Sequence, residues 1–321
     1  LAKIIIGSRG SKLALWQAGF VRDSLAALKP GLEIEVLVIK TEGDTRHDLS
    51  PDAFGKEGIF TAELDRALLD RRIDLAVHSL KDLPTKLGEG VALAAVTSRE
   101  SIRDVFIITS ERGKKLGINK NTPAQEALAR LPRGFKVGTS SLRRVMQLKH
   151  HFPNLEFTPL RGNLDTRLKK VAEGQADAVV VAEAGLNRLG VKPRGHIFIA
   201  LTPDWYLPAA GQGALAIESR ADDPAREVSY LLEHGPTRAA VTSERAAMAA
   251  LGAGCRVPAG FLGTVSGDRL SVSGVVGDPE GTRLIKALAE GWADEAEALG
   301  KELSDGLIRQ GAAAILKAVR R

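Results

Sequence analysis

A single cysteine, Cys255, is the only thiol in this 321-residue chain. One thiol can form neither an intrachain disulfide nor a multi-thiolate metal site, so any chemistry at Cys255 is that of one sulfur. Aromatic residues make up only 4% of the chain. No helix-turn-helix, zinc-finger or RNA-recognition signature accompanies them, and nucleic acid is not expected as a partner. No apolar run approaches the roughly 18 residues of a bilayer-spanning helix, so no membrane association is expected. Leu1 to Gly7 reads as a strand rather than a secretion signal, and a cytoplasmic location is the expectation for a chain with one cysteine and no targeting segment. Solenoid-length repeats and low-complexity tracts are also missing.

Charge of one sign is scarce everywhere except in one place. The formal net charge is +6, and between Lys136 and Lys170 eight basic residues face two acidic ones, Glu156 and Asp165. The remaining residues carry 37 charges of each sign. A confined excess of this kind points to a local anion site rather than a generally basic surface.

Hydrophobic and charged residues contribute 44% and 26%, close to ordinary globular usage. The length implies two or three domains. Strands at Lys3 to Gly7 and Glu33 to Lys40, with a helix from about Lys12 to Leu28 between them, are followed by a helix over about Phe60 to Arg71 and the strand Asp74 to His78. A second series starts at Arg103 to Ile108. Strands at Phe135 to Gly138, Leu155 to Leu160 and Asp177 to Val181 alternate with helices beginning near Ser141, Asn163 and Ala182. This alternation predicts an α/β architecture with a cleft between two units. Leu207 to Ala214, with two glycines and a proline, is the hinge candidate. Glu111 to Thr122 reads as an exposed loop. Beyond Pro236 the chain reads as a helix over about Thr237 to Leu251, short strands near 261–265, 270–276 and 283–290, and a helix over about Asp294 to Gln310.

Five segments could carry chemistry. In Gly138-Thr139-Ser140-Ser141-Leu142-Arg143-Arg144 a strand ends, hydroxyls offer a cap and a helix opens on two guanidiniums. Helix N-termini attract anions. Leu160-Arg161-Gly162-Asn163, with Arg167 one turn inside, repeats the arrangement, and parallel strands would bring both to one carboxyl edge. A solvated helix face remains an adequate reading of Lys169 and Lys170. Gly7-Ser8-Arg9-Gly10-Ser11-Lys12 is not a Walker loop, yet its strand–turn–helix context predicts an anion contact at Arg9 and a cap at Ser11. Asp82, after the strand end Ser79-Leu80-Lys81, reads equally well as a turn cap and as a carboxylate stabilising a cation. His78 reads as structural, because no second metal ligand stands at a binding spacing. Cys255 lies in Gly252-Ala253-Gly254-Cys255-Arg256-Val257-Pro258. The neighbouring cation favours thiolate, while a buried apolar filler is the competing reading.

Taken in order, these segments resemble the porphobilinogen deaminase (hydroxymethylbilane synthase) family. The resemblance is carried by Arg9-Gly10-Ser11 with Leu13 to Ala18; Thr41-Glu42-Gly43-Asp44; Val77 to Pro84; Gly138 to Arg144; Leu160 to Asn163 with Thr166-Arg167-Leu168; Ala184 to Gly190; Leu207 to Ala214; and the cysteine turn. It implies an α/β fold of three domains. The first two resemble periplasmic binding proteins, with mixed sheets flanked by helices, and the third is a small α+β domain. Their expected bounds are 1–100 plus about 214–232, 103–207, and 236–321 carrying the cofactor cysteine.

The resemblance further implies a monomeric transferase of tetrapyrrole and haem biosynthesis. Such an enzyme condenses four porphobilinogen molecules, releasing ammonia, into hydroxymethylbilane, which passes to uroporphyrinogen-III synthase. Growth takes place on a dipyrromethane cofactor held by a thioether, here at Cys255. Asp82 matches the catalytic carboxylate. Arg9, Arg143, Arg144, Arg161, Arg167 and Arg188 match residues that pair with cofactor and substrate carboxylates, two of which arrive with each ring. Ser11, Phe60, Lys81, Thr139, Ser140, Ser141, Gly162, Asn163 and Gln212 match further contacts. The family lid, Gly-Gly-Lys-Gly-Leu-Phe, is here Gly55-Lys56-Glu57-Gly58-Ile59-Phe60, with Glu57 in the lysine's place. The stretch 111–122 is longer than is usual in the family. A non-catalytic two-domain binding protein for a small carboxylate, and a cysteine-nucleophile hydrolase, are the alternatives that the residues alone leave open.

Overall fold

A computed structural model describes residues 3–41, 61–192, 194–252 and 257–319. Three sheets organise them. The first has the order β2-β1-β3-β10-β4, built from β1 (Lys3–Ser8), β2 (Glu33–Val38), β3 (Leu75–Ser79), β4 (Val91–Val96) and β10 (Leu215–Arg220). The second has the order β7-β6-β8-β5-β9, from β5 (Asp104–Thr109), β6 (Lys136–Gly138), β7 (Glu156–Thr158), β8 (Ala178–Ala182) and β9 (His196–Leu201). In each, three parallel strands are joined to an edge strand through one antiparallel strand: β10 in the first sheet and β5 in the second. Both of these strands follow a crossing between the sheets, over residues 97–103 into β5 and 202–214 into β10. The third sheet is an antiparallel meander of β11 (Ala259–Ser266), β12 (Arg269–Gly277) and β13 (Leu284–Trp292).

Helices cover the sheets because their apolar spacing leaves one stripe to bury. Helix α1 (Lys12–Leu28) buries Gln17, Ala18, Val21 and Leu25 against the first sheet, and its N-terminus is closed by Ser11, whose Oγ accepts from the Ala14 N–H at 3.3 Å. Helix α2 (Ala62–Leu69) packs Leu64, Ala67 and Leu68 on the opposite face. The second sheet carries α3 (Ser110–Lys115), α4 (Ala124–Ala129), α5 (Leu142–His151), α6 (Leu164–Ala172) and α7 (Glu183–Leu189), and the last three begin where helix starts were read, near Ser141, Asn163 and Ala182. After α8 (Ala225–Ser229), α9 (Gly235–Ala250) and α10 (Ala296–Arg309) cross the third sheet, and α11 (Ala312–Val319) completes its core.

Two features correct the sequence reading. Residues 111–122 are not simply a loop, since α3 occupies the first part. The Thr109 hydroxyl accepts from the Arg112 N–H, and Lys115 pairs with Glu111 one turn earlier at 2.8 Å. Gly113, which reads as a helix breaker, is there for contact: a Cβ on it would lie 2.3 Å from Ile197 Cδ1. Strand β10 was not anticipated because Glu218, Ser219 and Arg220 sit in it fully buried. Glu218 lies 3.0 Å from His78 Nε2, while Arg220 donates to the Leu68 and Ile73 carbonyls and pairs with Asp74 and Asp223. Partners remote in sequence make a polar strand a core strand. Strands β4 and β9 and helices α4, α8 and α11 were likewise unread.

The hinge candidate 207–214 is held by all three units. Leu207 O accepts from Arg143 at 2.8 Å and Gln147 at 3.0 Å, and Gly213 O accepts from Arg188 at 2.6 Å. Gly213 has φ 92°, and a Cβ there would lie 2.4 Å from Glu100 O, so the two crossings touch through backbone that only glycine permits. Glu244 of α9 ties them to the third sheet. Fully buried, it accepts from Arg99 at 2.6 and 3.1 Å, from Gly211 N at 2.6 Å and from Gly263 N at 2.8 Å. Truncation would leave Arg99 without its counter-ion and two buried amides without an acceptor. Glu244→Ala is expected to lower unfolding stability by about 3 kcal/mol, measured by urea denaturation; a loss below about 1 kcal/mol, the range of an exposed pair, would show that the hub contributes little.

Candidate functional site

The carboxyl edges of the two five-stranded sheets face one another. On the first edge, β1 ends at Ser8 and passes through Arg9 and Ser11 into α1, and β3 ends at Ser79 and turns through a 3-10 segment, Leu80–Asp82. On the second, β6 leads through Thr139, Ser140 and Ser141 into α5, and its parallel neighbour β7 leads through Arg161, Gly162 and Asn163 into α6. Residues 207–214 close the back.

The site is strongly cationic, and its centre is a buried triad. Asp104, 1% exposed, receives Arg143 at 2.7 Å on one oxygen and Arg144 at 2.8 Å on the other. Burial alone would raise the Asp104 carboxyl, but the two guanidiniums outweigh it and hold that carboxyl well below the usual carboxylate range. Gln212 Nε2 donates to the Ile102 carbonyl at 2.7 Å and to Asp104 at 3.2 Å. Much of the hydrogen-bonding capacity of Arg143 and Arg144 is therefore internal, since Arg143 also donates to Leu207 O and Arg144 to Val180 O, each at 2.8 Å. The triad keeps one net positive charge, and the buried Nε of Arg144 has no partner among the described residues.

Around this centre the groups are more open. Asp82 is exposed on its turn. Lys81 is brought down to about 8, first by burial and then by Arg144 and Arg143, against the opposing pull of Asp82 and Asp104. Arg167 is brought down to about 10 by burial and by Arg144, with Asp82 acting against them. These couplings place Asp82 within electrostatic reach of Lys81 beside it and Arg167 from the opposite sheet. Arg167 Nε donates to Gly162 O at 2.8 Å, and Asn163 Oδ1 caps α6 by accepting from the Thr166 N–H at 2.9 Å. Gly162 has φ 111°, and a Cβ on it would meet Thr166 Cγ2 at 2.7 Å, so the turn that presents Arg161 needs glycine. Arg161 and Arg9 are both half-buried at this edge. Ser141 stands at the cap position of α5 but its hydroxyl makes no cap bond; Thr139 Oγ1 instead accepts from the Ser141 N–H at 3.2 Å. Arg188 stands apart from the triad, on α7 beside the hinge, with its guanidinium over the Trp16 ring at 5.9 Å and its acidity set by burial at about 10.

Cys255, Phe60 and Glu57 lie outside the described residues. Sequence reading missed Asp104, Tyr206, Glu244 and Arg99. Tyr206 packs beneath Arg143, whose guanidinium lies 5.7 Å from the ring centre. An acid at the head of an apolar strand was the only signal for Asp104; the others carried none.

The donor set suits a small polyanionic ligand. Several guanidiniums and an ammonium surround one exposed carboxylate, and the Arg144 Nε is an unpaired buried donor. Cations of this density match carboxylate groups, while Asp82 offers an exposed acceptor among them.

Two family models match the chain: "Porphobilinogen deaminase, dipyromethane cofactor binding domain" over residues 4–227 and "Porphobilinogen deaminase, C-terminal domain" over 238–309. The porphobilinogen deaminase of Chromobacterium violaceum is 46% identical over 320 residues, covering 99% of this chain and 98% of that protein. That of Desulforudis audaxviator is also 46% identical, over 321 residues and the same shares of each chain. Among solved structures, an ancestral cationic amino acid solute binding protein is 12% identical and covers 72% of this chain and 88% of that chain, with a TM-score of 0.42.

Proposed function

The chain belongs to the porphobilinogen deaminase family, a transferase of tetrapyrrole biosynthesis, and we propose that Asp82 and the cations around it are the groups that carry the reaction. The three sheets correspond in this reading to three domains, about 1–100 with 214–232, 103–207 and 236–321. The matched domain is one that binds dipyrromethane, and Cys255 is the proposed point of attachment. Bound there, the cofactor supplies the pyrrole carbon on which the chain of rings is extended.

This chain's own residues do the rest by charge and position. Arg9, Arg161, Arg167 and Lys81 hold carboxylate side arms, and the Arg144 Nε offers one further donor. Asp82 accepts from pyrrole N–H and faces the carbon that loses ammonia. Positive charge grows on the substrate pyrrole as the C–N bond breaks, and a fixed carboxylate stabilises that charge more than it stabilises the uncharged ring. Asn163, Gly162 and Gln212 also fix the cations, through the α6 turn and the triad. The observation that supports the reading is an exposed Asp82 on the turn after β3, with the cation-rich turn after β7 joined to the same sheet edge through Lys12 and Asp165. Incubation with porphobilinogen is expected to release one ammonia per ring added and to yield a linear tetrapyrrole that closes in acid to a porphyrinogen, which oxygen in air then oxidises to a coloured porphyrin. Unchanged porphobilinogen would refute the proposal.

Lys81 makes the site pH-dependent in a defined direction. Its proton is present below about pH 8 and is lost above it, so one cation disappears as the pH rises through 8. KM for porphobilinogen is expected to climb between pH 7.5 and 9. In Lys81→Met, KM should start higher at pH 7 and lack that climb; a parallel pH profile in the variant would assign the titration elsewhere. The sign for stability is opposite. The depressed value means that the unfolded chain binds more protons between pH 8 and 10.5, so Lys81 disfavours folding most below pH 8.

A further inference from the structure

We propose that Lys12 and Asp165 form a latch across the mouth of the cleft, and that the carboxylates of each added ring compete with Asp165 for Lys12, opening the latch as the chain grows. The second half of this statement rests on the function proposed above. Lys12 opens α1 beside the first sheet and Asp165 lies in the first turn of α6 beside the second. Separated by 153 positions, they meet with Nζ donating to Oδ2 at 2.7 Å, while their side chains remain 78% and 48% exposed.

The placement of Lys12 is unfavourable for its own helix. A cation at a helix N-terminus opposes the macrodipole, and α1 has no acidic residue in its first turn to offset it. Asp165, by contrast, stands where a helix favours an anion. The lysine is therefore held by the opposite unit rather than by α1. Next to it, Leu13 comes within 3.8 Å of where a Cβ on Gly185 of α7 would stand, so the ion pair joins an existing contact between the units.

Asp165 is also anomalous in its surroundings, as one of two acids among eight bases between 136 and 170. An anion at the mouth repels an incoming polyanion, and Lys12 neutralises it only while the latch is shut. Exposed pairs contribute little individually. A few carboxylates near the mouth are thus enough to draw Lys12 away, after which Asp165 is repelled and the units part. Lys12 and Asp165 act as positioning residues.

Hydrogen exchange of the holoenzyme, followed by mass spectrometry on peptides covering 9–20 and 161–172, reads the latch without turnover. Lys12→Ala and Asp165→Ala should each speed exchange in both peptides about two- to fivefold, and the swap Lys12→Asp with Asp165→Lys should restore it. Unchanged exchange in the single variants, or a swap that fails to restore it, overturns the latch. With porphobilinogen, Asp165→Ala should speed the third and fourth additions relative to the first by a similar factor, resolved by the masses of enzyme carrying one to four rings. Equal effects on all four additions would overturn the competition. Were the wild type to add no ring at all, the proposed function would fall while the exchange result still judged the latch.

Discussion

Asp82→Ala is expected to lower turnover about 10²- to 10³-fold, the loss typical of removing one fixed group that stabilises charge in a transition state. The fold should tolerate it. Asp82 is exposed, and its turn is held by bonds that do not use its side chain, the Leu83 N–H donating to Leu80 O at 3.1 Å and Arg245 donating to Pro84 O at 2.7 Å. Thermal unfolding should therefore move by less than about 0.5 kcal/mol, the range of an uninvolved surface site. Asp82→Asn separates charge from shape: it keeps an acceptor for ring N–H but loses the negative charge, and should be nearly as slow as the alanine variant. If the asparagine variant kept most of its turnover, hydrogen bonding rather than charge would be the role of Asp82. If both did, the residue would be a turn cap.

The surrounding arginines divide by what else they hold. Arg143 and Arg144 resemble family residues that pair with carboxylates, yet here both neutralise Asp104 and brace the hinge and β8. Arg9, Arg161 and Arg167 sit half-buried at the open edges.

Much of this was legible locally. The Ser11 cap, the helix starting at Leu142, the Asn163 cap and the parallel strands behind them all follow from short-range rules: hydroxyl or amide before an apolar-periodic run, β-branched residues before a turn. These rules also placed Arg9, Arg161 and Asp82 at strand ends, where the structure has them. Groups defined by distant partners stayed hidden. Glu244 looks like any acid in an alanine-rich helix until Arg99, 145 positions away, meets it. Asp104 and Arg220 gain their meaning in the same way, and β10 reads as polar because its counter-charges come from elsewhere in the chain.

The reading of Cys255 changed most between local and global argument. Locally a thiol between Gly254 and Arg256 has no evident target. The cationic cleft supplies one, and the described residues on either side of the turn are well fixed. Helix α9 ends at Ala250, and further along the chain Phe261 N donates to Pro208 O of the hinge at 2.9 Å, with Gly260 packed so tightly that a Cβ would lie 2.9 Å from Leu207 O. The described residues that follow Cys255 in the chain are therefore packed against the hinge. Cys255→Ser keeps the volume but not the sulfur nucleophile, and is expected to abolish turnover and thioether attachment together while the chain stays folded.

Intact mass spectrometry tests the tethered cofactor most directly. The purified wild-type protein should be heavier than its sequence by two pyrrole units, and Cys255→Ser should return to the sequence mass. A fully active wild-type protein at its bare sequence mass, or a serine variant that keeps the increment, would contradict a cofactor held by Cys255.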